Sequence, residues 1–164
     1  MEEKLVVPAG VSVSRAGDII KVKGPKGEVS VGVPRKLSAG ISGNEVVLSG
    51  SKMLVGTAVA HLSNAFKGVT EGHRKTMRMV FAHFPMKVEV KGSTMTIKNF
   101  LGGKRDLHAE IVGPTKVTVK GQDIEIEGPD VYAVGQTAAN LRQATRVRGK
   151  DERVFQDGIY VVKQ

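Results

Sequence analysis

Apolar and polar side chains alternate over residues 11–15, 19–23, 46–49, 87–90, 117–120 and 124–127, with β-branched residues at most of the apolar positions. That two-residue period predicts half-buried strands. Between or beside these runs stand Gly17-Asp18, Gly43-Asn44, Gly92-Ser93 and Gly121-Gln122, where glycine can supply the positive φ of a two-residue hairpin turn. Gly24-Pro25-Lys26-Gly27 is a further turn, with proline where its fixed φ fits. Elements this short and this local predict mainly antiparallel pairing. The pattern turns helical twice. Val55, Val59, Leu62, Phe66 and Val69 recur every three or four residues in a stripe that starts near Ser51. Val131, Val134, Ala138 and Leu141 do the same up to about Arg146, with Asp130 placed to cap the helix.

The two halves repeat one another. Val13, Gly17, Ile20, Val22 and Lys23 fall on Val88, Gly92, Met95, Ile97 and Lys98 at a shift of 75 (88 − 13). Gly43 to Gly50 falls on Gly121 to Gly128 at 78 (121 − 43), and Val55-Gly56 on Val134-Gly135 at 79 (134 − 55). Slowly growing offsets in a preserved order of strand, hairpin, strand and helix are the mark of a duplication with loop insertions. The predicted fold is therefore α+β: two tandem copies of a small module, each a mainly antiparallel sheet packed against one amphipathic helix. The expected modules are residues 1–78 and 79–164, joined near His73 to Met79.

Composition narrows the function. The chain has 164 residues and carries 25 Lys and Arg against 16 Asp and Glu, a formal charge of +9, which points to a polyanionic partner. It has no cysteine, so disulfides and thiolate metal sites are excluded. The start Met1-Glu2-Glu3-Lys4-Leu5 lacks the basic and apolar regions of a signal peptide, and no apolar run approaches membrane-spanning length. These features predict a cytoplasmic protein with no membrane partner. Catalytic constellations are missing. The glycine-rich pieces at 24–27 and 102–105 lack phosphate-loop spacing, His61, His73, His83 and His108 are scattered, and no Gly-x-Ser-x-Gly elbow occurs. Asp123, Glu125 and Glu127 share one face of a strand, where a solvated surface is expected rather than a cation site. Neither an enzyme nor a cofactor is predicted.

Charge in the second half is polarised. Asp123, Glu125, Glu127 and Asp130 lie between Gly121 and Leu141 with no Lys or Arg among them; Arg142, Arg146, Arg148, Lys150 and Arg153 then arrive within twelve residues. Favourable interaction of cations with a helix C-terminus accounts for Arg142 and Arg146 alone. The rest sit in the loop beyond, where arginine predominates and its planar fork suits phosphate. With aromatics at 4% of the chain and no aromatic cluster on any strand, base stacking on a sheet is not expected. Phosphate and shape recognition of folded RNA is.

The stretch from Gln143 through Thr145-Arg146-Val147-Arg148-Gly149-Lys150 and Phe155-Gln156-Asp157-Gly158-Ile159-Tyr160 to Val161 resembles the C-terminal signature of the large-subunit ribosomal protein six family, in its archaeal and eukaryotic-type branch. Val22-Lys23-Gly24-Pro25-Lys26-Gly27-Glu28 resembles that family's N-terminal motif, and Phe84 to Val88, Asn99 to Gly102 and Gly135 to Asn140 are similar too. The resemblance implies the duplicated fold and a place on large-subunit rRNA near the base of the factor-binding stalk and the sarcin-ricin loop. It also implies neighbouring large-subunit proteins and proximity to translational GTPases. It makes Arg142, Gln143, Arg146, Arg148, Lys150 and Arg153 RNA contacts, with Phe155, Asp157, Gly158 and Tyr160 shaping the turn and strand that hold them. The acidic start departs from the basic starts of bacterial relatives, so no contact is carried onto Met1 to Lys4. The competing reading is a two-module adaptor for acidic protein factors.

Overall fold

The four glycine-led pairs close four hairpins. In this computed structural model, which describes residues 1–162, Ala16 faces Ile19, Ser42 faces Glu45, Lys91 faces Thr94 and Lys120 faces Asp123. Gly17, Gly43, Gly92 and Gly121 take φ of 62°, 60°, 59° and 59°, a region most side chains avoid. The same turn geometry recurs at matching places in both halves.

The chain divides into two compact units, residues 1–73 with 129–131 and residues 74–128 with 132 onward. The first has strands β1 (Glu2–Val6), β2 (Ser12–Ala16), β3 (Ile19–Gly24), β4 (Gly27–Gly32), β5 (Ser38–Ser42) and β6 (Glu45–Ser49), followed by helix α1 (Lys52–Thr70). They form two three-stranded sheets, ordered β2-β3-β4 and β1-β6-β5. After β7 (His73–Val80), the second has β8 (Lys87–Lys91), β9 (Thr94–Lys98), a 3-10 turn (Phe100–Gly102), β10 (Leu107–Glu110), β11 (Lys116–Lys120), β12 (Asp123–Gly128), helix α2 (Val131–Ala144) and β13 (Gly158–Val161). Its sheets are ordered β10-β9-β8 and β11-β12-β7-β13. With β7 in the place of β1, and β13 as an addition, the strand order of the first unit is repeated. Each copy thus carries two sheets and one helix where the alternation alone suggested one sheet. The last two residues of the expected 79–164 module lie outside the described residues.

Burial of the alternate strand positions and the helix stripe holds each unit. Ile20, Val22, Val46 and Leu48 meet Val55, Leu62 and Val69 of α1, all fully buried. In the second unit Met77, Met95, Ile97, Ile124, Ile126, Leu141 and Ile159 are fully buried together. Full burial of such a side chain is worth roughly 1.5–3 kcal/mol, against about 0–1 for an exposed ion pair, so the cores decide stability.

Two helix expectations need correction. Val131 is exposed; Ala133 and Thr137 complete the buried stripe of Val134, Ala138 and Leu141. Thr137 can be buried because its hydroxyl donates to Ala133 O at 2.8 Å and accepts from Val112 N–H at 3.1 Å. Helix α2 also stops at Ala144, so Arg146 lies beyond it and not on its last turn.

The motif around Gly24 is explained by close approach. Lys26 N–H donates to Val69 O at 2.9 Å, bringing the β3–β4 turn against the end of α1. A Cβ on Gly24 would fall 2.8 Å from Val69 Cβ, Cγ2 and O, so only glycine fits. In the second unit, Asn99 Nδ2 donates to Pro85 O at 2.8 Å from a left-handed backbone (φ 58°), tying together two of the family-like segments.

Candidate nucleic-acid interface

The charges on the second unit fall into two populations. On the outer face of β12, Asp123, Glu125 and Glu127 are not merely solvated. Arg78 Nε bonds Asp123 at 2.9 Å, Arg74 pairs with Glu125 and with Glu127 (3.4 Å), and Lys120 reaches Glu125 at 3.0 Å. The hydrogen bond from Lys120, joined by that from Arg74, holds the Glu125 carboxyl below the usual carboxylate range. Each acid of β12 is thus paired with a cation of a neighbouring strand.

The second population follows α2. Thr145 and Val147 are buried while Arg146 and Arg148 are exposed, so the chain alternates in and out as it leaves the helix. Thr145 Oγ1 donates to Leu141 O at 3.1 Å and accepts from Ile159 N–H at 3.2 Å, fastening the helix end to β13. The Arg146 and Arg148 guanidiniums have no hydrogen bond or ion pair among the described residues. Arg142 lies over the Tyr160 ring at 4.5 Å, and Lys150 over the Phe155 ring at 4.7 Å.

Arg153 is held differently from the others. Its Nε and Nη2 reach Asp151 Oδ1 and Oδ2 at 3.2 and 3.1 Å, and its backbone N–H donates to Oδ1 at 3.0 Å. Those hydrogen bonds, the side-chain one first, hold the Asp151 carboxyl below the usual range. A depressed carboxylate stays ionised through neutral pH and is protonated only as pH falls through its lowered value, so Asp151 keeps its charge beside the Arg153 fork under ordinary conditions.

Four further residues brace this segment. Phe155 sits between Lys150 and His83, whose ring centroid is 5.5 Å away. Asp157 is buried and its Oδ1 accepts from Ala82 N–H at 3.3 Å. The Tyr160 hydroxyl donates to Gln156 O at 3.0 Å. A Cβ on Gly158 would come within 3.3 Å of Thr145 O, so this glycine permits the crossing of loop and strand. Phe155 and Tyr160, which the family-like motif marks as shaping this segment, thus each carry a cation on the ring, Lys150 and Arg142 respectively.

Two shallow grooves of about 420 Å³ each flank Gln143. One is lined by Ala139, Arg142, Gln143, Arg146 and Glu152. The other runs between α2 and β10 and brings Gln143 and Arg148 beside His108 and Glu110. Its wall is fixed by Asn140, whose Nδ2 donates to Glu110 O at 3.1 Å while its Oδ1 accepts from Gln136 at 2.9 Å. Of the six predicted contacts, Arg142, Gln143, Arg146 and Arg148 come together at these grooves, Lys150 stands at Phe155, and Arg153 is turned to Asp151. His108 and Glu110 were not marked by any local signal, because their strand reaches α2 through tertiary packing.

The family model described as ribosomal protein L6 matches twice, over residues 7–72 and 84–158. Similar proteins include the large ribosomal subunit protein uL6 of Saccharolobus solfataricus, 39% identical and covering 100% of this chain and 95% of the relative. The uL6 of Methanosarcina mazei is 44% identical, covering 96% of this chain and 94% of its own. That of Methanobrevibacter smithii is 43% identical, over 100% and 96%.

Proposed function

The chain belongs to the ribosomal protein L6 family, and from that premise we propose that it grips large-subunit rRNA through residues 142–150, close to the base of the factor-binding stalk and the sarcin-ricin loop. It is a structural constituent of the large ribosomal subunit in the cytoplasm, and not an enzyme. Neighbouring large-subunit proteins and docking translational GTPases complete the proposed surroundings, a placement that rests on the resemblance of residues 143–161.

The observation that carries the contact surface is the contrast between the two charge populations. Arg74, Arg78 and Lys120 are spent on acids of their own sheet, whereas Arg146 and Arg148, unpaired among the described residues, line the grooves on either side of Gln143. Two arginines with no ion-pair partner among the described residues, on a braced loop, fit a phosphate backbone. Four cations, Arg142, Arg146, Arg148 and Lys150, set the expected salt dependence. Affinity for large-subunit rRNA, measured by filter binding across ionic strength, should fall with a log–log slope of roughly −2.8 to −3.6. A flat profile, or retention on acidic proteins in preference to rRNA, would favour the adaptor reading.

Arg153 gives a separate test. Asp151→Asn keeps an oxygen to accept the Arg153 backbone N–H but removes the charge that occupies the guanidinium. With one more free cation, rRNA affinity should rise by about threefold or more and the slope should steepen by about 1. Unchanged affinity would remove Arg153 from the contact surface.

A further inference from the structure

The groove between β10 and α2 has a composition that phosphate binding does not explain. Besides Asn140, four polar heads line it: His108, Glu110, Gln143 and Arg148. All four are exposed, and none has a side-chain hydrogen bond or ion pair among the described residues. A bare carboxylate repels phosphate and lowers the field of Arg148 beside it. What Glu110 can do for an RNA is accept a hydrogen bond, and the abundant donor at the edge of an RNA helix is the ribose 2′-hydroxyl.

Resting on the rRNA reading above, we propose that this groove receives the minor-groove edge of an RNA helix, with Glu110 accepting from a ribose 2′-hydroxyl and Arg148 holding the adjoining phosphate. The groove is shallow and open along its length, which suits the edge of an RNA backbone rather than an enclosed base. Gln143 and His108 offer both donors and acceptors, matching a hydroxyl that is donor and acceptor at once. Asn140, engaged with Gln136 and with Glu110 O, keeps β10 against α2 so that the four heads stay aligned. The assignment makes this end of α2 a sensor of ribose as well as of charge.

The sign of one substitution tests it. Glu110→Ala removes an exposed acid, so electrostatics alone raises affinity for any nucleic acid. Removal of an acceptor for the 2′-hydroxyl lowers affinity for RNA only. Affinities of parent and variant are to be measured against large-subunit rRNA and against mixed-sequence duplex DNA at one salt concentration, with melting curves recorded alongside. The expected result is about fivefold weaker rRNA binding with tighter DNA binding, at an unchanged melting temperature. Tighter binding to both, or no change in either, overturns the proposal. The triple variant Arg146→Ala, Arg148→Ala, Lys150→Ala on the same rRNA separates this assignment from the rRNA surface it rests on. If the triple variant weakens binding and Glu110→Ala strengthens it, only the 2′-hydroxyl assignment fails; if the triple variant has no effect, the rRNA surface itself fails.

Discussion

Replacing Arg146, Arg148 and Lys150 together by alanine is expected to weaken binding to large-subunit rRNA by on the order of a hundredfold while leaving the fold in place. Each exposed phosphate contact contributes up to about 1 kcal/mol once water and salt compete, and three such losses compound to roughly that factor. All three side chains are exposed, and the apolar stripe of Val134, Ala138 and Leu141 is untouched. Thr145 and Val147 still point inward, so the loop keeps its path. Within the protein the change removes the stacking of Lys150 on Phe155, worth about 0.5–1 kcal/mol at an exposed site. The slope of log affinity against log salt should flatten by roughly 2–3. Parent-like affinity with matching melting curves would mean that these cations form a solvated surface and that rRNA is held elsewhere.

Local chemistry made the hairpins readable. A glycine-led pair between alternating runs determines both the turn and the register on either side, and all four such pairs closed where the repeat offsets placed them. Strands β1, β7 and β13 had no such signal. Their partners lie far along the chain, as when Glu2 faces Ser49 and Gly158 faces Val80, and no turn residue announces a pairing of that range. Thr137 illustrates a second limit. A hydroxyl that finds two partners inside becomes a core residue, and hydrophobic periodicity counts it as surface.

The candidate site was legible to the same depth. The run of cations after α2 stood out by composition, but composition did not say which were free. Asp151, two residues from Arg153, closes a fork around it. His108 and Glu110 joined the site only through the packing of β10 beside α2, held by Asn140. The family-like stretch marks the segment proposed to contact rRNA, and the geometry separates its unpaired side chains from those that brace them.

Thr145→Val should be the most costly single change at this surface, although Thr145 touches no solvent. Valine matches the shape but not the hydroxyl, so the bond to Leu141 O disappears and Ile159 N–H, on a fully buried residue, is left without its acceptor. An unsatisfied buried donor costs about 1–3 kcal/mol. For a unit of this size, 2 kcal/mol corresponds to a fall in melting temperature of about 10 °C. The same hydroxyl joins the end of α2 to β13, so the segment bearing Arg146, Arg148 and Lys150 loses the clamp at its base. Binding of rRNA should therefore weaken at temperatures where the protein is still folded, while the salt slope stays at the parent value because no cation has been removed. That pairing of weaker affinity with an unchanged slope distinguishes loss of positioning from loss of charge. Thr145→Ser, which keeps the oxygen, should lie close to the parent in both measurements. Parent-like melting and affinity for the valine variant would show that β13 and the loop are held without this hydroxyl.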